Sequence, residues 1–71
     1  MKLSEAIIRF RQHCNLTQKQ AAQIANVTER NFQRYEHDLA TPSAKAIIDL
    51  SKSTGVSADF ILGLSDIPTA H

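Results

Sequence analysis

Residues 16–36 read LTQKQAAQIANVTERNFQRYE, and this stretch contains two signals for the start of a helix. Thr17 is followed three residues later by Gln20, which is the pattern of a capping box. Thr28 is a second N-cap residue, because its hydroxyl can accept from the backbone N–H groups that follow it. Between the two signals, Asn26 is a residue type that tolerates the left-handed conformation of a tight turn. The stretch therefore predicts two short helices joined by a turn.

Outward from this pair, apolar periodicity and capping residues predict three more helices. Leu3, Ile7 and Phe10 recur at helical spacing near the N-terminus. Ser43 and Ser57 are N-cap residues that begin a fourth and a fifth helix, each of which ends at a glycine. The predicted helices cover residues 3–14, 18–25, 29–37, 44–54 and 58–62. The fourth helix is expected to bury Ala44, Ile47, Ile48 and Leu50.

Length and composition are consistent with this all-α arrangement. The 71 residues are enough for one domain, which we place at residues 1–64, followed by a short C-terminal tail at 65–71 that is expected to fray. Two glycines, two prolines and four aromatic residues are few for a small β-barrel. The net charge of +1 is far from that of a histone-like protein, so any positive surface for nucleic acid must be local.

Cysteine content and hydropathy indicate the cellular compartment in which the protein is expected. One cysteine cannot form an internal disulfide, and secreted domains of this size usually carry several. The chain contains no run of about 20 apolar residues, the length that a membrane span requires. These features predict a cytoplasmic protein that does not contact membranes.

The third predicted helix has a strongly polar face. When Phe32 is placed at the centre of the buried face, Arg30, Gln33, Arg34 and His37 fall on the opposite side. Arginine pairs with guanine and glutamine pairs with adenine in the major groove, so this set suits base recognition. Any soluble helix also exposes such residues to water, and their position on the second of two short helices is what favours DNA.

Residues 10–36 and 41–64 together resemble the Cro and phage-repressor type of helix-turn-helix protein, also called the xenobiotic response element family. The resemblance covers about residues 3–64, with Arg11, Gln18, Glu36 and Pro42-Ser43 at the places where the family has these residue types. It implies a five-helix lambda-repressor-like DNA-binding domain, in which helices 2 and 3 form the helix-turn-helix. It also implies a sequence-specific transcriptional regulator, expected to be a repressor that binds a palindromic operator as a homodimer.

The resemblance assigns roles to individual residues. Base contacts are expected from Glu29, Arg30, Gln33 and Arg34. DNA backbone contacts are expected from Thr17, Gln18, Lys19, Thr28, Asn31 and His37. Arg11 and Glu36 are expected to form a structural ion pair. The dimer interface is expected at Leu62, Leu64 and Ile67, while Phe60 and Ile61 are expected in the core.

Two departures from the family pattern affect charge near the expected DNA surface. Asp38 stands where the family often has glycine, and Thr41 stands where it often has a basic residue. Both reduce positive charge in the loop after the third helix. The resemblance therefore implies modest affinity that depends on the remaining cations and on backbone amides.

Other classes of function have less support in the sequence. The histidines and Cys14 lack the spacing of a metal site, no glycine loop suits a nucleotide, and no catalytic set is present, so we expect neither an enzyme nor a cofactor. The alternative hypothesis is a protein-interaction module, such as an antitoxin or an adaptor. It is favoured by the low net charge and by the acidic loop.

Overall fold

The chain folds into five α-helices, as predicted. The structure is a computed structural model that describes residues 1–69; Ala70 and His71, which belong to the predicted tail, lie outside the described residues. The helices are α1 (Leu3–His13), α2 (Gln18–Ala25), α3 (Glu29–Glu36), α4 (Ala44–Thr54) and α5 (Ala58–Leu62). Within the described residues the extended structure is limited to an isolated bridge between Val56 and Thr69.

Local capping chemistry fixes the starts of four helices. In α2 to α5 the residue before the helix accepts a hydrogen bond from the third backbone N–H, because its side-chain oxygen reaches the first turn. The oxygen-to-nitrogen distances lie between 3.0 and 3.1 Å in all four. The four caps are the predicted ones, Thr17, Thr28, Ser43 and Ser57.

The core is formed by residues of all five helices. Phe10, Phe32, Leu50 and Ile61 are fully buried and come from four different helices. α1 packs against α3 and α5, while α2 packs against α3 and α4. The contact of α3 with both α1 and α2 fixes which face of α3 remains exposed.

The predicted buried face of α4 is wrong at two positions. Ala46, Ile47 and Leu50 are buried, but Ala44 and Ile48 are exposed. The apolar residues of α4 span a wider arc than its neighbours cover. The helix is rotated so that Ala46 is buried, whereas Ala44 and Ile48 remain exposed. Sequence periodicity alone does not set that rotation.

The described part of the tail is hydrogen-bonded to the rest of the domain. The Ser57 N–H donates to the Pro68 carbonyl at 2.8 Å, next to the bridge between Val56 and Thr69. Arg9 donates to the Asp66 carboxylate at 2.8 Å and to the Ser65 carbonyl at 2.9 Å. These bonds hold residues 65–69 against α1 and the start of α5.

In the described residues, three positions other than glycine adopt the left-handed conformation, and each lies just after a helix. Asn15, Asn26 and Asp38 have φ values of 55°, 58° and 61°. The asparagine at the end of α2 was predicted to take this role. At the end of α3, the left-handed Asp38 lets the Leu39 N–H donate to the Arg34 carbonyl at 2.9 Å.

Replacing Asp38 with glycine is expected to stabilise the fold. Glycine has no Cβ to strain the left-handed conformation, so Asp38→Gly should raise the free energy of unfolding by up to about 1 kcal/mol. Urea unfolding followed by circular dichroism measures this change. Asp38→Asn is the matched control, because asparagine removes the charge but keeps a side chain. An equal gain in both variants would assign the effect to charge and contradict the conformational explanation.

Within residues 1–69, none of the helices combines the length and the apolar character that a membrane crossing requires.

Candidate nucleic-acid interface

α2 and α3 form a helical pair joined by a turn at residues 26–28. The left-handed Asn26 ends α2, and the Thr28 hydroxyl starts α3 two residues later. Val27, between them, is half-buried against the core. The turn therefore holds α3 at a defined angle to α2 and leaves its N-terminal end at the surface.

The two faces of α3 differ as the sequence predicted. Phe32 and Tyr35 are buried, and their rings meet edge to face with centroids 5.7 Å apart. On the opposite side Arg30 and Arg34 are exposed, and Gln33 is half-buried. The buried aromatic pair anchors the helix, while the exposed side presents guanidinium and amide groups.

Arg30 and Arg34 form a basic ridge between two open hollows. One hollow is lined by Gln23, Asn26, Val27, Thr28, Arg30, Asn31 and Arg34. The other is lined by Arg30, Gln33, Arg34, His37 and Leu39. Leu39, which the sequence patterns did not single out, is 67% exposed beside these cations. The sequence contains a signal for Leu39, because it is a large apolar residue only three positions after the end of α3.

Beneath this surface lies an ion pair between α1 and α3. Arg11 Nε donates to Glu36 Oε2 at 2.5 Å, and Arg11 Nη2 donates to Glu36 Oε1 at 3.2 Å. The Glu36 side chain is only 5% exposed, and that of Arg11 is 19% exposed. Arg11 Nη1 also donates to the Leu16 carbonyl at 3.1 Å. This pair ties α1 and the segment before α2 to the end of α3.

Gln18 connects the ion pair to the exposed face of α3. Its Nε2 donates to Glu36 Oε1 at 2.9 Å, and its Oε1 accepts from Gln33 Nε2 at 3.2 Å. Gln18 was predicted to contact a DNA phosphate. Both ends of its amide are engaged within the protein, and one N–H of its Nε2 remains for a partner outside.

The other residues expected at the DNA backbone surround this centre. Lys19 is exposed in the first turn of α2, and His37 is exposed at the end of α3. Thr17 and Thr28 use their hydroxyl oxygens as helix caps. Asn31 Nδ2 donates to the Tyr35 hydroxyl at 3.1 Å, so part of its amide is already bonded. Glu29, expected at a base, is exposed in the first turn of α3.

The residues expected at a dimer interface lie at the end of α5 and in the segment that follows it. Leu64 and Ile67 are 75% and 59% exposed, while Leu62 is half-buried and packs on the core. Phe60 and Ile61 are buried, as predicted. Arg9 lies over the Phe60 ring at 4.0 Å and donates to the Phe60 carbonyl at 3.0 Å, which fixes α5 on α1.

Comparison with known proteins agrees with this geometry. The sequence profile of the helix-turn-helix family matches residues 7–61. The chain is also 33% identical over 67 residues to the HTH-type transcriptional regulator ImmR of Bacillus subtilis (strain 168). That alignment covers 94% of this chain and 53% of ImmR, so the chain spans about half the length of this relative. This chain belongs to the helix-turn-helix family.

Solved structures agree with the helix-turn-helix fold. A crystal structure of the P22 c2 repressor in complex with a synthetic operator superposes with a TM-score of 0.76 at 20% identity, covering 92% of this chain and 98% of that chain. The solution structure of the DNA-binding domain of the same repressor gives 0.77 at 22% identity, covering 100% and 96%.

Cys14 and His13 have packing contacts in this helix-turn-helix domain. Within residues 1–69, no group of three His, Cys, Asp or Glu side chains is placed to hold a metal ion. Burial raises the pKa of the Cys14 thiol, and a hydrogen bond with Thr54 lowers it by less. The His13 ring contacts the Phe60 ring with centroids 5.4 Å apart. A thiol that is held protonated by burial is a poor nucleophile.

Proposed function

We propose that this protein is a sequence-specific DNA-binding transcriptional repressor that inserts α3 into the major groove. The observation that carries the proposal is the basic ridge of Arg30 and Arg34 on the exposed face of α3. In a helix-turn-helix, the second helix enters the groove and its N-terminal residues contact base edges. The ridge provides cations there, although the net charge of the chain is only +1.

Each group on this surface is given a role in the complex. Arg30 and Arg34 donate to guanine, Gln33 contacts a base, and Glu29 accepts from cytosine N4. Contacts to phosphate and sugar position the protein on the duplex without reading sequence. We assign those contacts to Thr17, Gln18, Lys19, Thr28, Asn31 and His37.

We further propose that two copies bind a palindrome in the cytoplasm. The described residues extend 31 Å along their longest axis, and half-sites one helical turn apart are about 34 Å from centre to centre. One copy therefore covers about one half-site. The exposed Leu64 and Ile67, with Leu62 beside them, form the apolar surface through which the second copy is joined. Occupying both half-sites blocks transcription.

Selection from a random pool of duplex DNA tests this function. The purified 71-residue chain is incubated with the pool at near-physiological salt, and bound DNA is sequenced after several rounds. Enrichment of a palindrome supports a dimeric sequence reader. Enrichment of a single half-site supports DNA recognition but contradicts the dimer. If a folded protein enriches nothing, the repressor proposal is wrong, and a protein-interaction role such as an antitoxin or an adaptor is favoured.

Arg30→Ala and Lys19→Ala are expected to weaken DNA binding in different ways. Loss of a base contact by Arg30→Ala should cost about 1–3 kcal/mol and relax the preference at one operator position. Loss of a phosphate contact by Lys19→Ala should weaken binding to all sequences alike and reduce the salt slope. Fluorescence anisotropy on the selected and on scrambled DNA, at several salt concentrations, measures both. Equal losses on the two DNAs for Arg30→Ala would count against base recognition.

A further inference from the structure

A chain of hydrogen bonds runs from the buried ion pair to the exposed face of α3. It begins at Arg11, passes through the Glu36 carboxylate and the Gln18 amide, and ends at the Gln33 amide. The first member is on α1, the next on α3 and Gln18 on α2, so the path crosses three helices. We call this chain of four side chains the amide relay.

The amide relay has a direction that its buried end determines. An ionised carboxylate only accepts hydrogen bonds. Glu36 Oε1 therefore requires a donor from Gln18, and Nε2 is the only donor on that side chain. With Nε2 turned toward Glu36, Gln18 presents its carbonyl Oε1 to Gln33. Gln33 must in turn present its own Nε2, at 3.2 Å.

This direction decides what Gln33 offers to a ligand. One N–H of its Nε2 is used by Gln18, which leaves the other N–H and the carbonyl Oε1. Gln33 lines the hollow beside the basic ridge, so these atoms border the proposed DNA surface. The Gln33 side chain thus presents one donor and one acceptor to a ligand. Its bond to Gln18 keeps the amide from turning, so the donor and the acceptor cannot exchange places.

In the major groove, that combination matches one base. Adenine presents an acceptor at N7 and a donor at N6, which pair with one N–H and one carbonyl. Guanine presents two acceptors, N7 and O6, so the Gln33 carbonyl would face an acceptor. A glutamine free to turn could place both N–H groups toward guanine. The amide relay removes that option, because one N–H is already bonded to Gln18.

We propose that Gln33 reads adenine and discriminates against guanine at one operator position, with Gln18 and Glu36 as positioning residues that hold its amide in one orientation. This inference rests on the proposed function. It names the base that Gln33 recognises. It also gives Gln18 a role in base specificity in addition to its expected contact with a phosphate.

Base analogues test the contact itself with the unchanged protein. In the operator obtained by selection, each adenine is replaced in turn by 7-deazaadenine, which lacks N7, or by purine, which lacks the N6 amino group. At one position we expect both replacements to weaken binding, by about 5- to 150-fold for loss of the bidentate contact. Gln33→Ala should bind the analogues and adenine equally at that position. Sensitivity that persists in Gln33→Ala would overturn the assignment.

Gln18→Ala tests the amide relay. If Gln18 holds the Gln33 amide, removing the Gln18 side chain lets that amide turn. The ratio of the affinities for adenine and guanine then falls only at the operator position that Gln33 contacts. If Gln18 only contacts a phosphate, both affinities fall equally, the ratio is unchanged, and the relay is overturned. Gln12→Ala is the matched control, because Gln12 is exposed on α1 and lies outside the relay.

The outcomes separate this inference from the proposed function. Absence of any enriched operator overturns the proposed function itself. An enriched operator without an adenine that depends on Gln33 overturns only the inference. Circular dichroism verifies the fold of each variant, and Gln18→Met repeats the measurement with a side chain of similar length should Gln18→Ala be unstable.

Discussion

Glu36→Ala is expected to lower the free energy of unfolding by about 3–5 kcal/mol, because it leaves the Arg11 guanidinium partly buried without its carboxylate. The Glu36 side chain is 5% exposed, and both of its oxygens accept from Arg11. A domain of this size has a total stability of only roughly 4–10 kcal/mol. The variant should therefore lose between about one third and all of the stability of the domain.

Thermal and urea unfolding followed by circular dichroism measure this loss. A loss of this size corresponds to a melting temperature lower by at least about 12 °C. Glu29→Ala is the control, because it removes an exposed carboxylate from the same helix and should cost at most about 1 kcal/mol. If Glu36→Ala costs less than about 1 kcal/mol, the pair behaves as a surface ion pair and does not hold the helices together.

The double variant Arg11→Met with Glu36→Met distinguishes the effect of an unpaired charge from the effect of lost packing. Replacing both partners of a buried ion pair with apolar residues is often neutral or stabilising, whereas removing one partner is costly. We therefore expect the double variant to be more stable than Glu36→Ala. The comparison shows whether the cost comes from an unpaired charge or from lost packing.

Phe32→Ala is expected to cost about 3–5 kcal/mol, since it opens a cavity under α3. The Phe32 side chain is fully buried and contacts the Tyr35 ring. It is the residue that anchors the helix carrying the proposed recognition surface. Its loss should unfold α3 together with the core, because α3 packs on both α1 and α2.

Two further variants determine whether burial causes the loss at Phe32. Leu39→Ala removes a large apolar side chain that is 67% exposed, and its stability should change by no more than about 0.5 kcal/mol. Phe32→Leu keeps most of the buried volume and should cost less than Phe32→Ala. Equal losses in Phe32→Ala and Leu39→Ala, measured by urea unfolding, would contradict the role of Phe32 as an anchor.

Much of the candidate site follows from local sequence. The exposure of Arg30 and Arg34 opposite Phe32 follows from the helical period, which acts over a few residues. The pairing of Arg11 with Glu36 came from the resemblance, and the structure shows the two side chains in contact. The bonds of Gln18 to Glu36 and Gln33 were not predicted, because they depend on the angle between α2 and α3.

The helices and their ends follow from local sequence. Each cap at Thr17, Thr28 and Ser43 needs only an oxygen and a backbone N–H three residues away, so no distant contact is required. The left-handed Asn26 is equally local, since its own backbone sterics govern it. Boundaries of this kind can be predicted before the rest of the chain is considered.

Which faces of these helices are buried depends on how the helices pack against one another. Ile48 is apolar yet exposed, because the width of the buried face of α4 depends on its neighbours. Residues 65 and 66 bond to Arg9, and its partner Asp66 is 57 positions away in the chain. Local sequence carries no signal for such contacts, because their free energy arises only once the helices have packed and brought distant residues together.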